Sequence, residues 1–304
     1  MMKPEAYHVP VMLRECVEAL VDDTNGVYVD VTFGGGGHSR EVLSKLGDSG
    51  RLIAFDQDED ALRNAPDDPR CTMVQANFKF LKNHLRFLQI EAVDGILADL
   101  GVSSYQLDTP GRGFAIRYDA PLDMRMGKTV QRTAAKLLQT ESREGLERIF
   151  RDYGEVREWR AMADSIVMTR GEQPIKTTGQ LVALAEKVGR DPKRNRFLSK
   201  IFQALRIEVN GEMDALKALL QQSAEVLKPG GKLVVMSYHS LEDRLVKRFM
   251  RSGDFEGEVE KDFFGNPLRP LKPMPGMPIT PGEEEMKLNT RARSAKLRIA
   301  IKNE

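Results

Sequence analysis

Four consecutive glycines closing an apolar run constrain this chain more than any other feature. The run is Val27-Tyr-Val-Asp-Val-Thr-Phe33, and residues 34–37 are all glycine. Beyond them Val42, Leu43 and Leu46 recur at helical spacing. β-Branched and aromatic residues suit a buried strand. A strand, a glycine turn and a helix in that order let backbone press against a nucleotide-like ligand, because no Cβ stands in the way. The turn does not match GxGxxG, since the residue three after Gly36 is Ser39. The dinucleotide fingerprint therefore fails, which disfavours a nicotinamide oxidoreductase.

The same alternation continues. Apolar spacing over Val11–Leu20 predicts a helix ahead of the first strand (27–33), and a second helix is expected over 39–46. Strands are expected at 51–55, 72–77 and 93–101, with helices at 58–64 and 78–88 between them. Four strands alternating with helices predict a parallel, doubly wound α/β sheet whose ligand site lies at the strands' carboxyl ends. From about 119 to 215 the pattern turns wholly helical, with candidates at 130–138, 143–153, 158–169, 178–188 and 197–209. A helix at 213–227, a Pro229-Gly-Gly turn and a strand at 233–237 resume the α/β rhythm, and a helix follows at 241–251. Residues 252–286, rich in Gly, Pro and Glu, predict an irregular loop, and 294–301 alternate like a last strand. The expected organisation is one α/β domain in two pieces, 1–118 and 216–304, with a helical domain of 119–215 inserted.

Bulk properties exclude several classes. At 304 residues with 41% hydrophobic and 30% charged side chains, the composition is that of an ordinary globular protein. A formal net charge of +1 advertises no polyanionic partner, so any nucleic-acid surface must come from local clustering. No run approaches the ~18 apolar residues of a membrane helix and the N-terminus lacks a signal-like apolar stretch, so no membrane role and a cytoplasmic location are expected. Cys16 and Cys71 lack CxxC spacing, and His8, His38, His84 and His239 lack ligand spacing, so no metal is expected.

Two acids at predicted strand ends carry the chemistry. Asp56 stands about 20 residues past the glycines, where a second-strand carboxylate meets ribose hydroxyls in this architecture. Asn77-Phe78, ending the third strand, could flank an adenine with an amide and a ring. Leu227-Lys-Pro-Gly-Gly-Lys-Leu-Val-Val-Met236 has a punctuation that resembles S-adenosylmethionine methyltransferases. In such a protein Asp99, closing the fourth strand, would sit beside the reacting atoms. An exocyclic amine on a base is a poor nucleophile, because its lone pair is delocalised into the ring. A carboxylate accepting its N–H can orient it and localise that lone pair. Asp99 is thus the expected catalytic residue.

Longer motifs narrow the resemblance. Residues 8–11 (His-Val-Pro-Val), 30–40, 94–104, Arg112-Gly-Phe, 121–126, Phe202-Gln-Ala-Leu-Arg-Ile207, His239-Ser-Leu-Glu-Asp-Arg244 and 289–298 are together similar to the bacterial 16S ribosomal RNA cytosine-N4 methyltransferase family. The similarity runs from residue 8 nearly to the end. It implies S-adenosylmethionine as donor, a class I methyltransferase sheet, and a cytidine in the decoding region of 16S rRNA as acceptor, within the small ribosomal subunit. The donor site it implies is Gly36, Gly37, His38, Asp56, Phe78, Asp99 and Gln106. The chain departs from the family pattern at Gly35, where arginine is usual, at Tyr105, where proline is common, and over 195–200.

Local basic clusters fit an RNA partner. Between Lys187 and Arg206 stand seven Lys/Arg (187, 190, 193, 194, 196, 200, 206) against one acid, Asp191, with Phe197 and Phe202 adjacent; Arg291, Arg293, Lys296 and Arg298 form a second group. Tyr238 and His239 are candidates to stack on or orient a flipped-out cytosine. A DNA amino-methyltransferase would carry an Asp/Asn/Ser-Pro-Pro-aromatic tetrapeptide where Asp99-Leu-Gly-Val stands, and a non-catalytic RNA-binding assembly factor would not bind the donor. The oligomeric state, homodimer included, stays open at this level.

Overall fold

The computed structural model describes residues 10–189 and 194–304. His8, and residues 190–193 of the basic stretch, lie outside the described residues, as does the side chain of Arg194. The chain divides into two compact units, one running to Gly101 and resuming at Met213, the other spanning Val102–Glu212.

The first unit is built on a seven-stranded sheet. Its strands are β1 (Val27–Asp30), β2 (Arg51–Asp56), β3 (Cys71–Gln75), β4 (Val93–Asp99), β5 (Leu227–Ser237), β6 (Leu271–Pro273) and β7 (Lys296–Lys302). They lie in the order β3-β2-β1-β4-β5-β7-β6. The first five run parallel, whereas β7 is antiparallel to both β5 and β6. The helices are α1 (Leu13–Leu20), α2 (Gly37–Lys45), α3 (Glu59–Leu62) and α4 (Leu81–Phe87).

Period-two alternation assigns each strand residue to one of two cores. Val29, Ile53, Phe55, Ile96, Ala98, Leu233 and Val235 share one face with Leu81 and Leu85 of α4. Tyr28, Leu52, Leu97, Val234 and Met236 share the other with Cys16, Val17 and Leu20 of α1 and with Val42 and Leu43 of α2. Both faces are covered, which is why these strands read as nearly continuous apolar runs rather than half-polar ones.

The second unit is helical: α5 (Ser104–Asp108), α6 (Ala134–Thr140), α7 (Arg143–Arg148, passing into a π-turn over Ile149–Tyr153), α8 (Trp159–Glu172), α9 (Thr178–Val188) and α10 (Arg194–Asn210). Residues 102–118 group here, not with the sheet as expected. Phe114 is buried among Leu122, Met124 and Leu137, and Val102, Leu107 and Ile116 pack on the same core. Phe197 and Phe202 also belong to that core, so neither ring is presented for stacking on a base.

After this unit in chain order come α11 (Glu212–Val226), α12 (Ser240–Ser252) and α13 (Glu283–Leu288). Three local expectations change. The Pro229-Gly-Gly segment lies inside β5, where pairing jumps from Val93↔Leu227 to Gly95↔Lys232 and the intervening residues bulge out. The expected first strand stops at Asp30, whose Oδ1 accepts the Thr32 N–H (3.0 Å) and turns the chain. The expected loop 252–286 contains β6 and the start of α13. Prolines at 270 and 273 hide a three-residue strand in the sequence, yet are tolerated at a sheet edge. No helix among the described residues is long and apolar enough to cross a membrane.

The C-terminal basic cluster is partly structural. Arg298 is 8% exposed and meets Asp243 through Nε (2.7 Å) and Nη2 (3.3 Å), while Lys296 Nζ reaches the same carboxylate (3.2 Å). Burial opposes ionisation of Asp243, but Arg298 and Lys296 outweigh it and hold its pKa below the usual carboxylate value. That stabilisation is present above the unfolded pKa and is lost as pH falls through the folded one. Arg298→Ala leaves Asp243 with Lys296 alone, and urea denaturation should show a loss of about 1.5–3 kcal/mol. A loss under about 1 kcal/mol would mean that the pair contributes no more than an exposed one.

Candidate active site

All the sheet's chemistry gathers at the carboxyl edge of β1, β2, β4 and β5. Asp30, the last residue of β1, is 1% exposed. Its Oδ2 accepts from Ser39 Oγ of α2 (2.7 Å) and its Oδ1 from Thr32 N. Thr32 Oγ1 in turn accepts the backbone N–H of Asp99 at the end of β4 (2.6 Å). Burial raises the Asp30 pKa, and the Ser39 hydroxyl and neighbouring His38 work against that rise. Sequence reasoning missed Asp30, Thr32 and Ser39 as site residues. The available signal was an acid ending a strand with hydroxyls two and nine positions later.

The glycine turn is pinned from two sides. Gly34 N donates to Asp56 Oδ2 (2.8 Å) and Gly36 N to the Phe33 carbonyl (2.7 Å). Gly36 has φ +75°, and a Cβ there would meet the Phe33 ring at 2.6 Å; one at Gly37 would run into Pro10. Only glycine fits both positions. Gly36 is also the N-cap of α2 and offers no side-chain acceptor, so the first-turn N–H groups of Gly37 and His38 have no intrahelical partner. Arg40 returns its Nη1 to the Gly35 carbonyl (2.7 Å), which sets a guanidinium at the turn although residue 35 carries none.

Asp56 accepts one backbone N–H on each oxygen, from Gly34 and from Asp58 (2.8 Å). Each oxygen retains a second acceptor position, the number two vicinal hydroxyls require. Burial pushes its pKa up to about 6 despite those bonds. After β3, Asn77 Nδ2 donates to Gln57 Oε1 (2.8 Å) and Phe78 is half-buried, with one side against the sheet's core.

Asp99 lies between Tyr238 and His38. Tyr238 donates its hydroxyl to Asp99 Oδ1 (2.8 Å), and His38 Nδ1 lies 3.8 Å from Oδ2. The His38 ring is otherwise held by Nε2 at 3.2 Å from the Val11 carbonyl. The Asp99 side chain keeps 25% of its surface exposed, and Oδ2 accepts no hydrogen bond among the described residues. Burial raises the Asp99 pKa to about 6, with His38 and the Tyr238 hydroxyl restraining the rise. The Tyr238 phenol is driven far up by its own burial and by Asp99, and so stays a donor.

The neighbouring candidate, His239, does not present a free ring. It is the N-cap of α12, in a reciprocal capping box with Glu242, whose Oε2 accepts from Tyr238 N (2.9 Å) and His239 N (3.3 Å). Gln106 belongs to the helical unit, where its Oε1 accepts from Ser103 N (3.1 Å) in the capping box of α5. The α/β unit by itself brings together Gly36, Gly37, His38, Asp56, Phe78 and Asp99.

A cationic methionine-nucleoside needs acceptors for two ribose hydroxyls, N–H groups for an α-carboxylate and an anion beside its sulfonium. Asp56, the uncapped start of α2 and Asp99 match these needs in kind. This sheet order, with that donor set at its carboxyl edge, defines a class I S-adenosylmethionine-dependent methyltransferase. The chain belongs to the MraW methylase family, whose model matches residues 5–303. Among its relatives, the ribosomal RNA small subunit methyltransferase H of Flavobacterium johnsoniae is 55% identical, over 97% of this chain and 98% of its own. Proteins of the same description from Cytophaga hutchinsonii and Bacteroides thetaiotaomicron are each 52% identical, over 97% of this chain and 99% and 97% of theirs.

The Tyr238 hydrogen bond favours the ionised form of Asp99, so its removal raises the acid's pKa. Carboxyl-carbon NMR should follow Asp99 titrating near 6, and Tyr238→Phe should move that midpoint upward. A midpoint that stays put or falls would mean that Tyr238 does not stabilise the carboxylate.

Proposed function

We propose that this protein transfers a methyl group from S-adenosylmethionine to the exocyclic N4 of a cytidine in the decoding region of 16S rRNA, in the cytoplasm and on the small ribosomal subunit. The supporting observation is the state of Asp99: a strand-end carboxylate with one oxygen held by Tyr238 and the other, 3.8 Å from His38 Nδ1, accepting no hydrogen bond among the described residues. The names of the three relatives point to small-subunit rRNA as the substrate class.

Asp56 holds the ribose hydroxyls, Asn77 and Phe78 flank the adenine, and the N–H groups at Gly37 and His38 take the donor's carboxylate. When bound, the donor supplies a methyl carbon made electrophilic by its sulfonium. Asp99 Oδ2 accepts an N–H of the cytosine amine and turns its lone pair toward the approach line. With its pKa near 6 the carboxylate is ionised at neutral pH, yet partial burial makes it a stronger acceptor than a hydrated acid. Methylation leaves an acidic ammonium, and the same Oδ2 receives its proton. Tyr238 keeps Oδ1 fixed, so the acceptor does not swing out of register. Positioning, not covalent catalysis, is the protein's contribution.

We further assign RNA recognition to the helical unit, on which Lys187 and Arg196 are exposed. Arg206 does not join them. It is bound bidentately by Glu212 (2.8 and 2.9 Å).

Asp99→Ala should abolish transfer while leaving donor affinity within about tenfold, as read by calorimetry beside a single-turnover assay; full activity in that variant would remove Asp99 from the mechanism. Mass spectrometry of rRNA nucleosides from a strain lacking the protein should show loss of one N4-methylated cytidine. An unchanged nucleoside profile would refute the assignment.

A further inference from the structure

The helix that follows Tyr238 carries a charge pattern that neither basic cluster in the sequence reveals. In α12 the buried residues are Glu242, Val246, Phe249, Met250 and Ser252, so one face is sealed against the sheet. Arg244, Lys247, Arg248 and Arg251 are all exposed on the opposite face. At 3.6 residues per turn they fall within an arc of about 100°. In chain order they are dispersed among apolar residues, which is why the stretch does not read as a basic run.

Not every one of these cations is equally available. Arg248 gives Nη1 to the Phe255 carbonyl (3.2 Å) and packs on the turn at Gly257, close to exposed Glu256 and Glu258. Lys247 and Arg251 have no carboxylate within ion-pair distance among the described residues. Two acids on and just past the helix, Asp243 and Asp254, are already engaged. Asp243 is bound by Arg298 and Lys296, while Asp254 accepts from Ser252 Oγ (2.9 Å) and Gly257 N (2.7 Å). Past the end of the helix, Arg269 brings Nη1 to the Arg251 carbonyl (3.1 Å) and extends the positive line.

Position gives the stripe its meaning. Tyr238, which binds Asp99, is two residues ahead of α12, and its backbone N–H is fixed by the Glu242 cap of the same helix. Arg244 to Arg251 therefore lie about 6 to 16 Å along the helix axis from Ser240. A base delivered to Asp99 leaves its flanking sugar–phosphate chain outside the site, and a row of exposed cations leading away from that point is what a polyanion would follow. Resting on the RNA substrate proposed above, we infer that Arg244, Lys247 and Arg251 form a phosphate track that binds the single-stranded RNA flanking the acceptor cytidine. The contacts are to backbone, so they set affinity and register, not base choice.

The test is salt-dependent binding of the full-length protein to a short single-stranded RNA containing the acceptor cytidine, alongside small-subunit particles. Arg244→Gln/Lys247→Gln/Arg251→Gln should bind the oligonucleotide at least tenfold more weakly. The slope of log K against log salt should become shallower by about 2, the value for three lost phosphate contacts on a single strand. Donor affinity should be unchanged, since none of the three touches the donor site. Arg244→Lys/Arg251→Lys should keep the wild-type slope, and Arg51→Gln/Arg86→Gln, exposed cations on β2 and α4, should alter nothing. An unchanged slope in the triple variant overturns the track. A loss confined to particles, with oligonucleotide binding intact, also overturns it and assigns the stripe to a subunit protein. If the wild-type protein binds and methylates neither substrate, the RNA reading itself has failed.

Discussion

Asp30 ends β1 with its carboxylate almost wholly out of water, and a buried acid of that kind persists only where hydrogen bonds replace lost hydration. Its partners are the hydroxyl of Ser39 in α2 and the backbone of Thr32 in the glycine turn. Thr32 then holds the backbone N–H of Asp99. The end of β1, the start of α2 nine residues on and the end of β4 are thereby tied at one point. The Asp99 carboxylate and the glycine turn are positioned by the same knot.

Around it the edge divides two partly buried acids by environment. Asp56 and Asp99 are both pushed to about 6 by burial, so both ionise below neutrality while remaining partly dehydrated. Asp56 is held by backbone N–H groups and keeps an acceptor position on each oxygen. Asp99 accepts from a phenol on one oxygen, while its other oxygen lies 3.8 Å from His38 Nδ1 and accepts no hydrogen bond among the described residues. The first arrangement suits static recognition of a diol, and the second suits an acceptor whose load changes during a reaction.

Much of the sheet was legible in the chain because both faces of it are covered. Buried strands such as Arg51–Asp56 and Val93–Asp99 read as apolar runs ending in acids, and both strands end at those acids in the fold. Short edge elements were not legible. In β6 two prolines mask the strand, and the bulge inside β5 looks in sequence like an ordinary Pro-Gly turn. The helical unit begins at Val102, well before the helical periodicity does, because Phe114 and its neighbours join its core without forming a helix of their own.

Residue types and spacing determined the α/β alternation, the glycine turn and the two strand-end acids, since these follow from periodicity and from Cβ sterics within a few residues. Which polar groups remain available for chemistry was decided by tertiary structure. Arg298 is bound by Asp243, a partner 55 positions away, and Phe197 and Phe202 are inside a core. Tyr238 instead meets Asp99, a partner 139 positions away. Hydrogen bonds and ion pairs depend on distances of a few ångströms between segments remote in the chain, and no local pattern encodes those distances.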